Sequence, residues 1–338
     1  ACERGSQWQR AVELLASVRH ERLCLDAVVY NSTISACEKG LHWRGALALL
    51  REMSENRVKP DSISFNATSS ACEKGRRWEH SLELLAEMRR AGLAPDVVSC
   101  SVAISACASV TQWQRALGLF ANMLQAGPLP DVVTYSALIS ACEKGHEWQQ
   151  ALAFLGMTEE QGLRPGLVAM NATVSACAKG HQWQCALRML GSMRRRALQP
   201  DVITFTAAAS GCSSCHQWQQ ALRLLHAVRS EGLEPTVLTY GAAISACQHG
   251  RQWPAALELL EEMRARGHDP DVVAYNLSMG ACERGQQWQL ALSLLEQMRH
   301  EGLEPNAVTY RTLIRAARGG QLWQSAMAFL ERLQPAPC

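Results

Sequence analysis

The chain has 338 residues, of which 48% are apolar and 19% are charged, and its formal net charge at pH 7 is +2. This apolar fraction excludes an intrinsically disordered protein, and the near balance of charge gives only weak support for a polyanionic partner. No apolar run reaches the ~18 residues of a membrane span, and we find no signal peptide.

The ten tryptophans of the chain divide it into segments of equal length. Each tryptophan lies 35 residues after the one before, at Trp8, Trp43, Trp78, Trp113, Trp148, Trp183, Trp218, Trp253, Trp288 and Trp323. A fixed period of this size predicts a solenoid, in which each repeat is one supersecondary element that buries its apolar face against its neighbours. Because the register never slips, we expect a single repeat array over residues 1–338 with no inserted domain.

We number the repeats from the first complete one. Residues 1–26 form a partial leading repeat, and repeats 1 to 9 start at residues 27, 62, 97, 132, 167, 202, 237, 272 and 307. Repeat 9 stops three residues short, at Cys338. Since Ala1 and Cys2 already match Ala36 and Cys37, we expect the chain to begin inside a repeat, with any targeting segment absent from it.

Each repeat is predicted to be a pair of helices. In repeat 8 the segment 272–282 carries apolar or small residues at helical spacing, and Gly285 is expected to end this first helix. Trp288 then opens an amphipathic second helix, which Gly302 and Pro305 end. The pattern therefore predicts an all-α fold of stacked helical hairpins.

Nine of the fourteen cysteines keep the 35-residue period. They are Cys2, Cys37, Cys72, Cys107, Cys142, Cys177, Cys212, Cys247 and Cys282. One cysteine at the same helical position of each repeat is typical of a small buried apolar residue, so we expect a reducing compartment and no disulfide framework. Cys212 and Cys215 form the only C-x-x-C motif, and without a second pair of ligands we predict no metal site and no cofactor there.

The repeated sequence resembles the P-type pentatricopeptide repeat, most clearly in PDVVTYSALISACEKG from Pro130 to Gly145. Its period differs from the 34 residues of the tetratricopeptide repeat. The constant tryptophan and the recurring ACEKG are similar to the variant abundant in dinoflagellate algae. The resemblance covers nearly the whole chain.

This resemblance implies a right-handed α-solenoid superhelix whose first helices line a concave face and bind single-stranded RNA, one base per repeat. It also implies a role in organellar RNA processing, stability, editing or translation, in a mitochondrion or chloroplast, together with other RNA-processing proteins. It implies no membrane partner and no small-molecule substrate.

The resemblance further implies that each repeat reads its base with its fifth and its last residue. The fifth residues are Asn31, Asn66, Ser101, Ser136, Asn171, Thr206, Gly241, Asn276 and Arg311. The last residues are Asp61, Asp96, Asp131, Gly166, Asp201, Thr236, Asp271 and Asn306. An Asn amide both donates and accepts and so suits a pyrimidine edge, whereas a short Ser or Thr leaves room for a purine. The expected target is 5′-UUGRURRY-3′, although Gly166, Thr236, Gly241 and Arg311 depart from the common pairs.

Two more sets of residues carry over from the resemblance. The second residue of each repeat is aliphatic and is expected to sandwich the bases: Val28, Ile63, Val98, Val133, Val168, Ile203, Leu238, Val273 and Val308. Basic residues near the end of the first helix are expected to contact phosphates: Lys39, Lys74, Lys144, Lys179 and Arg284, with Arg4 in the leading repeat. Ser109, Ser214, His249 and Gly319 replace them elsewhere.

Packing and capping offer simpler explanations for several of these patterns. The tryptophans have apolar partners at helical spacing, which favours packing over base stacking. The aliphatic second residues are equally compatible with a core, and the basic residues with helix C-termini. An Asp that follows Pro and precedes a helix is also a good N-cap, and we expect these Asp residues both to cap and to read.

Signatures of enzymes were sought and are missing from the sequence. It contains no G-x-x-x-x-G-K-S/T, G-x-S-x-G, H-E-x-x-H or G-x-G-x-x-G, and no H-x-E with P-C-x-x-C. We therefore predict a non-catalytic protein. The alternative to RNA binding is a protein scaffold of the tetratricopeptide type that holds a peptide in the same groove. Fifth residues paired with Asp favour bases, whereas a peptide groove should repeat the same side chains.

Overall fold

The computed structural model describes residues 8–20, 26–126 and 128–319. Within these ranges the chain forms eighteen α-helices and no strand, which confirms the all-α prediction. No helix in this described part is long and apolar enough to cross a membrane.

The helices alternate between two kinds. The first helices of repeats 1 to 9 are α2 (Ala27–Lys39), α4 (Ser62–Lys74), α6 (Val97–Ser109), α8 (Val132–Lys144), α10 (Leu167–Lys179), α12 (Val202–Ser214), α14 (Val237–His249), α16 (Val272–Arg284) and α18 (Ala307–Gly319). The second helices are α1 (Trp8–His20), α3 (Trp43–Glu55), α5 (Trp78–Arg90), α7 (Trp113–Ala126), α9 (Trp148–Glu160), α11 (Trp183–Arg195), α13 (Trp218–Ser230), α15 (Trp253–Ala265) and α17 (Trp288–His300). Each of these second helices begins at the repeated tryptophan, as predicted, and Trp323 lies outside the described residues.

Contacts along the chain define two compact parts, Ala1–Ala176 and Cys177–Cys338. In the N-terminal part each first helix packs on the next, α2 on α4, α4 on α6 and α6 on α8. In the C-terminal part α12 packs on α14, α14 on α16 and α16 on α18. The stacking of hairpins is thus established within each part, and the single array over the whole chain stays a prediction.

The core uses the same positions in repeats 1 and 7. In repeat 1, Tyr30, Ile34 and Cys37 lie at helical spacing on one face of α2 and are fully buried against Leu49 and Met53 of α3. The equivalent residues of α14 and α15 form the same cluster in repeat 7. A stripe at positions i, i+4 and i+7 is the face that an amphipathic helix turns to its core.

The periodic cysteines belong to this core. Those from Cys37 to Cys282 are buried free thiols, as predicted, and Cys2 lies outside the described residues. Burial raises their pKa, for Cys72 to about 12. Each therefore serves as a small apolar packing residue.

Gly285 ends the first helix of repeat 8, as predicted, but it does not adopt the left-handed conformation common at helix ends. Gly285 caps α16 with a φ of −85°, and the left-handed residue is Gln286, with a φ of 58°. Glycine stands at 285 for a steric reason, since a Cβ there would come 2.4 Å from Cδ1 of Trp253 in the preceding repeat. The recurring glycine is thus a contact between repeats. Gly302, which ends α17, does adopt a positive φ of 76°.

The tryptophans lie at these junctions. Trp8 and Trp43 pack against the core of repeat 1, and Trp253 and Trp288 against that of repeats 7 and 8, and each is partly buried. This arrangement confirms the packing interpretation of the tryptophans over base stacking for the repeats that these clusters include.

Candidate nucleic-acid interface

The last residue of a repeat begins the first helix of the next repeat. Asp61 has extended backbone angles and its Oδ1 accepts a hydrogen bond from the Ser64 backbone N at 2.8 Å, which makes it the N-cap of α4. The same role is played by Asp26, Asp96, Asp131, Asp201, Thr236 and Asp271. The capping predicted for these residues is confirmed, and it fixes each side chain at a helix start.

The fifth residue lies beside this cap. Asn31 Nδ2 donates to the two carboxylate oxygens of Asp61 at 3.1 and 3.3 Å, and Asn66 Nδ2 donates to those of Asp96 at 3.3 and 3.4 Å. In repeat 8 Asn276 Nδ2 donates to Asn306 Oδ1 at 3.4 Å. In repeats 1, 2 and 8 the structure thus brings together the two residues that the resemblance pairs, although they are 30 positions apart in sequence.

A third residue, which the sequence analysis missed, completes each of these pairs. Ser64 Oγ donates to Asn31 Oδ1 at 2.6 Å, Ser99 Oγ to Asn66 Oδ1 at 2.6 Å, and Thr309 Oγ1 to Asn276 Oδ1 at 2.7 Å. These hydroxyls belong to the third residue of the following repeat. The one signal in the sequence is that Ser or Thr recurs at this place.

Hydroxyl side chains at the fifth place fold back on their own helix. Ser101 Oγ donates to the carbonyl of Val97 at 2.7 Å, and Ser136 Oγ donates to that of Val132 at 2.6 Å. Thr206 makes the same bond to Val202 at 2.7 Å. A side chain held against its own backbone leaves more room above the helix than an extended Asn does, in keeping with the larger base expected at these repeats.

Repeat 7 leaves room above its first helix because its fifth residue, Gly241, has no side chain. An open cavity of about 480 Å³ lies in the C-terminal part, lined by Gly241, Leu238, His249 and Asp271 among others. His249, which stands where other repeats carry Lys, contacts the Ser213 hydroxyl at 3.4 Å through Nδ1. Burial and the positive charge of Arg284 lower the pKa of His249, which favours the neutral imidazole. This repeat therefore lacks the positive charge that a lysine supplies in other repeats.

The carboxyl groups of Asp61 and Asp96 are stabilised in their ionised form. Burial raises the pKa of Asp61, but the hydrogen bonds from the Ser64 backbone and side chain and from Asn31 outweigh it and bring the pKa below its ordinary value of 3.8. The pKa of Asp96 is lowered in the same way by Ser99 and Asn66. An ionised carboxylate only accepts hydrogen bonds, so it holds the amino group of the Asn toward itself.

The aliphatic second residues are exposed. Val28, Ile63, Val98, Val133, Val168, Ile203, Leu238, Val273 and Val308 have exposed fractions from 43 to 75%. The core explanation for these residues is therefore wrong. Burying exposed apolar side chains against a ligand is favourable. The second residues of the first helices therefore offer an apolar contact surface for a ligand.

The basic residues predicted near the ends of the first helices are mostly exposed. Lys39, Lys74, Lys179 and Arg284 are exposed and Lys144 is half-buried, while Arg4 lies outside the described residues. Lys74 Nζ forms an ion pair with Glu38 of the preceding repeat at 2.9 Å, and Ser70 donates to the same carboxylate at 2.8 Å. The positive charge of Lys74 is thus partly balanced before any ligand arrives.

No metal centre is formed in the part of the chain that the structure describes, where no three His, Cys, Asp or Glu side chains are placed to hold an ion. In the C-x-x-C motif Cys212 is buried, whereas Cys215 donates through Sγ to the carbonyl of His181 at 3.2 Å. The two thiols therefore lie in different surroundings.

Comparison with protein-family models finds three that match the chain. The model described as pentatricopeptide repeat domain matches residues 13–74, 129–180 and 188–250. The model of the PPR repeat family matches residues 95–144 and 270–318, and that of the PPR repeat matches 63–93 and 238–268. A comparison with curated protein sequences finds no match.

Solved structures with the same fold cover almost all of the chain. The pentatricopeptide repeat protein PPR10 from maize is 28% identical with a TM-score of 0.67, over 99% of this chain and 48% of that chain. A structure of PPR10 in complex with an 18-nt psaJ RNA element is 18% identical with a TM-score of 0.70, over 99% of this chain and 55% of that chain. The chain spans about half the length of these proteins.

Proposed function

The chain belongs to the pentatricopeptide repeat family, and on that premise we propose that it binds single-stranded RNA sequence-specifically, one base per repeat. The observation that carries this proposal is the hydrogen-bonded pair formed by the fifth and last residues, as in Asn66 and Asp96. We further infer that it acts without catalysis, in RNA processing, stability, editing or translation in a mitochondrion or chloroplast.

The amide of Asn66 supports recognition of a pyrimidine. Its Oδ1 accepts from Ser99 and one Nδ2 hydrogen points to Asp96, so the second Nδ2 hydrogen is left to donate to a base. Pyrimidines and purines both present an acceptor atom on the Watson–Crick edge, so this bond alone does not choose between them. The preference comes from size, because the extended Asn66 leaves less room above the helix than Ser101, which folds back on its own backbone. Pairs of exposed aliphatic residues from successive repeats, such as Ile63 and Val98, would cover the two faces of that base.

The repeat-to-repeat variation favours bases over a peptide. Asn31 and Asn66 bond to the following cap, whereas Ser101 and Ser136 bond to their own helix. A peptide groove of the tetratricopeptide type would present the same side chain in neighbouring repeats. Here the scaffold is constant and the paired polar positions change, as a base-reading surface requires.

The decisive experiment compares three nucleic acids at two salt concentrations. A labelled RNA containing 5′-UUGRURRY-3′, a scrambled RNA and the matching DNA are titrated with the chain. We expect the designed RNA to bind most tightly and Asn66→Ser to move the preference at the second base toward a purine. Equal, weak binding of all three that salt abolishes would show an electrostatic contact only and would direct the search to a peptide partner.

A further inference from the structure

We propose that the hydroxyl at the third place of a repeat is a positioning residue, which sets the orientation of the base-reading Asn in the repeat before it. This inference rests on the proposed function. The clearest instance is Ser99, which acts on Asn66 and through it on the base that repeat 2 reads. Ser99 itself is 4% exposed, so it takes part through Asn66 and not by touching RNA.

The contacts of Asn66 admit one orientation of its amide. Asp96, an ionised carboxylate, lies 3.3 Å from Nδ2, and the Ser99 hydroxyl lies 2.6 Å from Oδ1. Rotating the amide by half a turn would set its oxygen against the carboxylate, where neither atom has a hydrogen to share. The carboxylate and the hydroxyl therefore hold the amide from its two ends, and its free hydrogen keeps a fixed direction.

At Ser99 the contact with Asn66 can be tested without removing a capping box, because the start of α6 has none. In α4 the Ser64 hydroxyl accepts from the Asp61 backbone N and so completes a capping box. In α6 the cap is made by Asp96 and the backbone N of Ser99, at 2.7 Å, and no capping box is formed. Loss of the Ser99 hydroxyl thus leaves the bond from the Ser99 backbone N to Asp96 in place. It removes the contacts of Ser99 Oγ with Asn66 Oδ1, at 2.6 Å, and with Asp96 Oδ1, at 2.8 Å.

The sequence pairs the same residue types in every repeat whose fifth residue is Asn. Each Asn at a fifth place is followed by a hydroxyl residue at the next third place, Ser64 after Asn31, Ser99 after Asn66, Thr204 after Asn171 and Thr309 after Asn276. Alanine occupies the third place at Ala169 and Ala274, which follow Ser136 and Gly241. Neither of these two fifth residues has an amide to orient. Thr134 and Thr239 follow Ser101 and Thr206, and there the third-place hydroxyl contacts the hydroxyl of the fifth residue, at 2.6 and 2.8 Å.

The test uses Ser99→Ala and Ser99→Thr in the full chain. For each protein the dissociation constants are measured for RNAs that differ only at the second base, uracil against purine, and at the first base, which Asn31 reads. We expect Ser99→Ala to reduce the discrimination at the second base about fivefold, as loss of one hydrogen bond would. Ser99→Thr, with the hydroxyl found in repeats 4, 6, 7 and 9, should keep it, and discrimination at the first base should stay unchanged in both.

Two further variants control for folding and for mere packing. Ala274→Ser adds a hydroxyl beside Gly241 and should leave discrimination at the seventh base as it is. Thr309→Val removes, with little change of shape, the hydroxyl that donates to Asn276 and accepts from the Asn306 backbone N. It should weaken discrimination at the eighth base, which Asn276 reads. Thermal unfolding of all variants identifies any that fail to fold, and Thr309→Val decides the question if Ser99→Ala is among them.

The outcomes distinguish this inference from the proposed function. A parent chain without preference at any base overturns both. A parent chain with base preference that Ser99→Ala retains overturns the positioning role alone. Loss of discrimination in Ser99→Thr as well as Ser99→Ala also overturns it, because the hydroxyl would then not be the cause.

Discussion

The indole of Trp43 lies so close to Gly75 that a β-carbon on Gly75 would come 2.5 Å from its Cδ1 atom. Trp43 begins α3 and Gly75 caps α4, so the contact joins one repeat to the next. The pair Trp113 and Gly145 has the same geometry, at 2.5 Å. The two most regular features of the sequence, the tryptophan and the glycine of ACEKG, are therefore the two sides of one junction between repeats.

This junction predicts that Gly75→Ala destabilises the protein by about 1–3 kcal/mol, because the added methyl group forces the indole to move. Urea unfolding measures the change. Gly118→Ala is the matched control, since Gly118 lies inside α7 with no neighbour within 4 Å of an added Cβ. That substitution should stabilise the helix by about 0.5–1 kcal/mol. A Gly75→Ala variant as stable as the parent would show that the indole is not fixed there.

The N-cap residues Asp61 and Asp96 predict that the stability of the fold decreases at acidic pH. The pKa values of Asp61 and Asp96 lie below the ordinary value of 3.8. Their carboxylates therefore stabilise the fold above that value, and this contribution is lost as the pH falls through the lowered folded-state pKa. Asp96→Asn keeps a good N-cap residue but does not titrate. Its thermal midpoint should fall less than that of the parent between about pH 5 and about pH 2, and parallel curves would contradict the prediction.

Much of this fold could be predicted because the relevant pattern is local. The tryptophan marks the first residue of every described second helix, and the Asp that follows Pro marks the start of the first helices. Both are signals within a few residues of the helix end that they define. The pairing of fifth and last residues is implied by the resemblance, and these residues are hydrogen-bonded to each other in repeats 1, 2 and 8.

The features that escaped prediction are contacts between repeats. Ser99 and Asn66 are 33 residues apart, and nothing within either repeat indicates that the hydroxyl faces the amide. The sequence predicts only a helix end for Gly285, because Trp253, the side chain that requires a glycine there, is 32 positions away. The exposure of Val98 was ambiguous for a similar reason, since the first helices carry apolar residues on several faces and periodicity alone does not tell which face is covered.

Burial of the periodic cysteines predicts selective labelling of the native protein. Burial raises the pKa of Cys72 and Cys142 to about 12, so these thiols are both inaccessible and protonated at neutral pH. Cys185 and Cys215 are half-buried. A brief treatment with iodoacetamide followed by peptide mass mapping should label Cys185 and Cys215 well before the other two. In denaturant all four should react alike, and early labelling of Cys72 in the native protein would contradict its place in the core.

The exposed aliphatic residues predict that stability and RNA binding can be separated on one helix. Val98 is 53% exposed on α6 and Ile104 on the same helix is fully buried. Val98→Ala should change stability by no more than about 0.5 kcal/mol. It should weaken RNA binding about tenfold, or about 1.5 kcal/mol, because two methyl groups lose their contact with a base.

Ile104→Val should do the reverse, costing about 0.5–1.5 kcal/mol of stability and leaving RNA affinity unchanged. Urea unfolding and RNA titration of both variants measure these effects, and unchanged RNA affinity of Val98→Ala would remove Val98 from the binding surface.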